Sequence, residues 1–268
     1  MSHAVTVFLF TVGLFFGMLL FLEIGRRIGI RRMKEDGGTA GEGVGAVDGA
    51  VFALLGLLIA FTFSGASARF DTRRQLIVEE TNDIGTAYLR LDLLAADAQA
   101  ALRESFRRYL DARIEIYRKL PDIAAAKDQL AKAVELQTQI WRQAVAASRA
   151  QGASPAAPML LLPALNAMID ITTTRTMATQ MHPPAVIFVM LFGLSMAASL
   201  VAGYGMTGSK LRSWIHMFCF ALAMAVAVYV ILDIEYPRLG LIRVDAFDQA
   251  LVDLRESMNR DIQNPGQK

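Results

Sequence analysis

Hydrophobic residues along the chain form four long blocks, separated by segments of ordinary polar composition. The blocks are residues 4–22, 49–66, 183–209 and 213–232. They contain no Asp, Glu, Lys or Arg, and their one histidine is His216. A helix needs roughly 20 mostly apolar residues to cross a hydrocarbon core of about 30 Å. The pattern therefore predicts four membrane-spanning helices.

The segment between the second and third blocks has the pattern of packed helices. From residue 66 to residue 120 it contains no proline and a single glycine, so the second span is predicted to continue as a helix beyond the bilayer. Apolar residues recur there every seven positions, which keeps one face toward a partner helix. They are Phe70, Ile77, Ile84 and Leu91.

Further helices are predicted over residues 97–120, with Asp97 as N-cap, after Pro121, over residues 159–180 and over residues 245–262. The fold class is therefore an all-α membrane protein with four transmembrane helices and an extramembrane antiparallel helical bundle between spans two and three. The predicted divisions are 1–66 (spans one and two), 67–182 (helical domain), 183–233 (spans three and four) and 234–268 (C-terminal helix and tail).

Basic residues in the short loops predict the orientation. Arg26, Arg27, Arg31, Arg32 and Lys34 follow span one, and Lys210 and Arg212 lie between spans three and four. Loops rich in Lys and Arg remain in the cytoplasm. The termini and the helical domain are then periplasmic, in a multi-pass protein of a bacterial inner membrane.

Small residues follow one face of span two at helical spacing, and we call them the small-residue row. They are Gly45, Gly49, Ala53, Gly56, Ala60 and Ser64. In lipid, small residues allow close backbone packing, so this face is predicted to meet protein. It packs on another helix of the chain, on a neighbouring copy, or around the axis of a pore.

Polar and aromatic residues near the ends of the spans are further candidates. Asp48 is an ionisable group at the membrane, which is either functional or placed at the interface. Phe61 and Phe63 form either a hydrophobic constriction or part of an interfacial aromatic belt. The candidates for the outer interface are Arg69, Asp233, Glu235 and Arg238.

Composition and motifs argue against an enzyme. Hydrophobic residues make up 54% of the chain and charged residues 19%, and a net charge of +2 gives no basic field for nucleic acid. The glycine spacing at residues 203–208 resembles a dinucleotide loop, but it follows an apolar span instead of a strand. The adjacent carboxylates Glu79 and Glu80 are expected on an exposed helix face, and no catalytic residue, metal site or cofactor is predicted.

Two stretches resemble a family of bacterial membrane proteins described as bestrophin-like. The first is residues 49–66, GAVFALLGLLIAFTFSGA, followed by Arg69-Phe70-Asp71, Arg73-Arg74 and GTAYLR at 85–90; the second is Asp233, Pro237-Arg238 and Gly240-Leu241-Ile242. Bestrophins are pentameric anion channels with four spans, in which the second span lines the pore and aromatic residues form a narrow neck. The resemblance therefore implies a channel, with Phe61 and Phe63 as neck candidates.

Two functions follow from these observations. One is a homo-oligomeric ion channel or pore in the lipid bilayer, with span two around the axis and ions as the permeating species. The alternative is a non-conducting sensor, scaffold or interaction protein with a periplasmic helical domain.

Overall fold

The computed structural model describes residues 3–35, 44–208 and 214–263, and their regular secondary structure is helical throughout. The α-helices are α1 His3–Glu35, α2 Val44–Leu89, α3 Ala96–Arg118, α4 Ile123–Ser148, α5 Ala157–Gln180, α6 Ala185–Gly205, α7 Trp214–Glu235 and α8 Asp245–Gln263. Short 3-10 turns cover Arg90–Leu93 and Met206–Gly208.

Four helical stretches are long and apolar enough to cross a membrane. They are Ala4–Glu35, Gly45–Leu93, Ala157–Gly205 and Trp214–Glu235. The third stretch includes α5 and α6, and its apolar block lies in α6. The predicted all-α fold with four membrane-spanning helices is confirmed.

Helix α2 runs without interruption over 46 residues, or about 69 Å at 1.5 Å per residue. This length confirms that the second span continues as a helix beyond a hydrocarbon core of about 30 Å.

The prediction for the start of α3 was wrong in detail. The N-cap position is Ala95, and Asp97 lies in the first turn of the helix. The cap after Pro121 is Asp122, whose carboxylate accepts a hydrogen bond from the Ala125 amide.

The chain divides into two compact units. Unit 1 contains Met1–Phe70 and His182–Ile242, and unit 2 contains Asp71–Met181 and Arg243–Lys268.

In unit 1, α1 packs against α6 and α7. The contact with α6 depends on three glycines, Gly25, Gly29 and Gly203, which we call the glycine seam. A Cβ at Gly25 would lie 1.9 Å from the Leu200 carbonyl oxygen, and one at Gly203 would lie 2.0 Å from the Leu22 oxygen. At Gly25 and Gly203 only glycine permits this approach, because the obstructing atoms belong to the backbone.

In unit 2, three of the residues spaced by seven are buried. Ile77 and Ile84 of α2, and Leu91 of the 3-10 turn that follows it, are each at most 1% exposed. Helices α3 and α4 form an antiparallel pair, and α8 packs on α3. Leu251 and Met258 of α8 are fully buried in the same core. Heptad spacing in the sequence therefore identified packed faces correctly.

Candidate functional site

The small-residue row lies on the outer side of α2. All six of its residues are exposed, and a Cβ at Gly45, Gly49 or Gly56 would meet no described atom within 4 Å. The opposite side of the helix enters the core of unit 1 through Leu55 and Ala66. Within the described part of the chain, the row therefore does not pack on another helix of the same protomer.

Helix α2 is also the least buried of the four candidate spans. In its most apolar 18-residue stretch 6% of the residues are buried, against 28% in α1 and in α7. In a bilayer, this outer side meets either acyl chains or another protein.

Phe61 and Phe63 are both exposed, at 67% and 44%, but they lie on different sides of α2. Residues that are two positions apart on an α-helix differ in direction by about 200° around the helix axis. Phe63 follows Gly56 by seven positions and borders the small-residue row, whereas Phe61 continues the bulky face formed by Leu54 and Leu57. Only one of the two phenylalanines can therefore face the central axis of an assembly.

Asp48 is half-buried in the first turns of α2. Its Oδ2 lies 3.9 Å from the position of a Cβ at Gly205, the last residue of α6. Around the helix axis, Asp48 lies about 100° from Gly49 and about 140° from Ala53.

Glu235, at the end of α7, is the centre of a group of charged and aromatic side chains in unit 1. Its carboxylate is 1% exposed and accepts hydrogen bonds from Arg69, with Nη2–Oε2 at 2.8 Å and Nε–Oε1 at 3.0 Å. His182 Nδ1 lies 3.0 Å from Oε1, and the imidazole stacks on Tyr236 with ring centroids 4.4 Å apart. The sequence selected Arg69 and Glu235 but not His182, because no spacing links residue 182 to residue 235.

Asp233 forms a separate arrangement. Its carboxylate accepts hydrogen bonds from the backbone amides of Leu241, at 2.9 Å, and Ile242, at 2.7 Å. A Cβ at Gly240 would lie 2.1 Å from Oδ1, so a larger residue there would displace the Asp233 carboxylate. Asp233 thereby fixes the chain that follows α7, and Arg238 is half-buried within that turn.

A buried ionic group lies in the core of unit 2. Glu80 is fully buried and pairs with Arg113 of α3 and Arg175 of α5. Asp248 of α8 lies 3.8 Å from Arg175. Glu80 was expected on an exposed face, and this expectation was wrong: Glu79 is exposed, but Glu80 points into the bundle.

Burial by itself raises the pKa of Glu80, but the charges and hydrogen bonds of Arg113 and Arg175 outweigh it, so the pKa lies below its usual value. Burial raises the pKa of Tyr109 to about 12. The Tyr109 hydroxyl accepts a hydrogen bond from Gln137 Nε2 at 3.1 Å and lies 3.2 Å from Thr172 Oγ1. The hydroxyl of Tyr109 and the side chains of Gln137 and Thr172 thus hydrogen-bond to one another inside unit 2.

Comparison with known proteins places these features in a family. A family model described as Bestrophin-like domain matches residues 30–246. A crystal structure of a mutant bacterial bestrophin homologue from Klebsiella pneumoniae is similar, with a TM-score of 0.63 and 13% sequence identity over 89% of this chain and 98% of that chain. A second crystal structure, described as a membrane protein, has a TM-score of 0.61 and 14% identity over 91% of this chain and 98% of that one. No curated protein matches the chain.

Proposed function

Because the chain belongs to the bestrophin-like family, we propose that it forms a homo-oligomeric membrane channel or pore in which α2 faces the central axis. The observation that supports this proposal is the outward small-residue row. In a monomer surrounded by lipid, such a row has no packing role, since acyl chains accept bulky side chains equally well. In a ring of protomers it brings neighbouring α2 helices close together.

We infer different roles for the two phenylalanines from their positions on α2. Phe63 borders the small-residue row and therefore faces the axis together with it. Apolar side chains at a narrow point of a pore act as a barrier that excludes water. Phe61 lies about 200° away on the helix and faces lipid or a neighbouring protomer.

Conductance of the purified protein in planar bilayers tests this assignment. Phe63→Ala removes the proposed constriction, and we expect its single-channel conductance to increase at least about twofold. Phe61→Ala removes the same volume two residues away and is the matched control, with an expected change of less than about 20%. An absence of current from wild type and from Phe63→Ala would contradict the channel and favour the non-conducting sensor or scaffold.

The assembly is tested separately by disulfide formation between copies. The native Cys219 is exposed, so it is first replaced by alanine. Ala53→Cys or Ala60→Cys should then form dimers under oxidation, because α2 helices around an axis bring equivalent positions together. Ala66→Cys, buried in the protomer, should not. Cross-linking without current would support an oligomeric scaffold.

We further propose that the protein lies in a bacterial inner membrane, with its termini and the helical domain in the periplasm. The support is the group of Arg26, Arg27, Arg31, Arg32 and Lys34 that follows the first span. Lys210 and Arg212 lie outside the described residues. Labelling of a cysteine at Ala131 by an impermeant reagent in intact spheroplasts would support this orientation, and labelling only after lysis would contradict it.

A further inference from the structure

One face of α1 changes from apolar to basic along its length. Its residues are spaced by four, four, three, four and three, which places them within about 40° of a common direction. They are Phe16, Leu20, Ile24, Arg27, Arg31 and Lys34. Phe16 is 62% exposed and Leu20 58%, and the Arg27 side chain is 72% exposed. We call this the lipid-facing strip.

The glycine seam determines that the strip points outward. Gly25 and Gly29 lie about 140° and 180° from Leu20 around the helix axis. Because a Cβ at Gly25 would lie 1.9 Å from the Leu200 oxygen of α6, α1 cannot rotate to turn the strip toward α6. The basic residues are therefore fixed on the open side of the helix.

The change from apolar to cationic takes place within one helical turn, since Ile24 and Arg27 are about 4.5 Å apart along the axis. Residues 23–35 contain five basic side chains and two acidic ones, Glu23 and Glu35. Glu23 accepts a hydrogen bond from Arg27 Nε at 2.8 Å. The strip thus keeps an excess of positive charge directly beyond an apolar surface.

We propose that the lipid-facing strip is a binding site for an anionic phospholipid. The acyl chain lies along Phe16, Leu20 and Ile24, and the phosphate of the headgroup pairs with Arg27, Arg31 and Lys34. Cations next to a membrane span attract anionic headgroups, and a phospholipid has the same order of apolar and anionic parts as the strip. This site is independent of whether α2 lines a pore.

Lipid retention by the full-length protein in detergent tests the proposal. Native mass spectrometry compares phosphatidylglycerol with phosphatidylcholine for wild type and for the variant Arg27→Gln/Arg31→Gln/Lys34→Gln. Each cation near the surface contributes about fivefold in affinity, so we expect the preference for phosphatidylglycerol to fall on the order of 100-fold. The single change Arg31→Gln should lower it about fivefold.

The control variant Arg118→Gln/Lys127→Gln/Lys132→Gln removes the same charge from exposed positions of unit 2 and should retain the wild-type preference. A control variant that loses the preference equally, or a wild type without preference, would overturn the proposal. Glycerol phosphate, which has the anionic group but no acyl chain, should compete weakly. Competition as strong as that of phosphatidylglycerol would show a site for soluble phosphate instead of lipid.

Discussion

Unit 1 contains two sets of small residues that look alike in the sequence and differ completely in their surroundings. At the glycine seam, a Cβ at Gly203 would overlap the Leu22 carbonyl at 2.0 Å. In the small-residue row, a Cβ at Gly49 or Gly56 would meet no described atom within 4 Å. The first set packs α1 against α6, whereas the second set is exposed on the protomer. In a bilayer, the second set therefore meets either acyl chains or another protein.

The comparison predicts a large effect at the seam. Gly203→Val forces branched carbons against the backbone of α1, and no side-chain movement relieves the overlap because the obstructing atoms are the Leu22 carbonyl. Overpacking of a rigid contact costs about 1–3 kcal/mol, and more where the backbone must move. We expect little folded protein, measured as the monodisperse fraction in size-exclusion chromatography.

The matched control is Gly193→Val in the same helix, where a Cβ would meet no described atom within 4 Å. It should yield folded protein at the wild-type level. Equal losses for the two variants would mean that α6 tolerates no branched residue at all, and the seam would then have no special role.

In unit 2, two consecutive carboxylates of α2 also differ in their surroundings: Glu80 is buried and Glu79 is exposed. Glu80→Gln removes the charge that compensates Arg113 and Arg175 in a buried position, and breaking such a group costs about 3–5 kcal/mol. Glu79→Gln changes an exposed residue and should alter the free energy of unfolding by less than about 0.5 kcal/mol. Chemical denaturation followed by circular dichroism measures both values.

Acid provides a check on the Glu80 prediction. The pKa of Glu80 is lowered in the folded protein, so its contribution to stability is fully present above the unfolded value of about 4.3 and is lost as pH falls through the folded value. The stability difference between wild type and Glu80→Gln should therefore be constant near neutral pH and shrink in strong acid. A difference that grows with acid would contradict the buried ion pair.

Periodicity predicted the fold well because it reports how a helix buries one side. Four apolar blocks predicted the spans, and the spacing of Ile77 and Ile84 predicted the packed face of α2 in unit 2. Periodicity does not show which helix or which other molecule a given helix face contacts. Gly25 and Gly29 have the same four-residue spacing as Gly45 and Gly49, yet among the described residues only a Cβ at the first pair would meet atoms of another helix. Glu80 and His182 were missed because their partners, Arg175 and Glu235, are distant in sequence.

The smallest expected effect on the protomer is at the open set of residues. Gly56→Val should change the free energy of unfolding by no more than about 0.5 kcal/mol, because valine has a slightly better helix propensity than glycine and meets no described atom of its own chain. Its effect should appear in assembly, where the branched side chain separates neighbouring α2 helices. Mass photometry in detergent should therefore show a shift toward smaller species, with thermal unfolding unchanged. Unaltered assembly would indicate that the small-residue row faces lipid. The glycine seam would then be a contact between helices, and the small-residue row a contact with acyl chains.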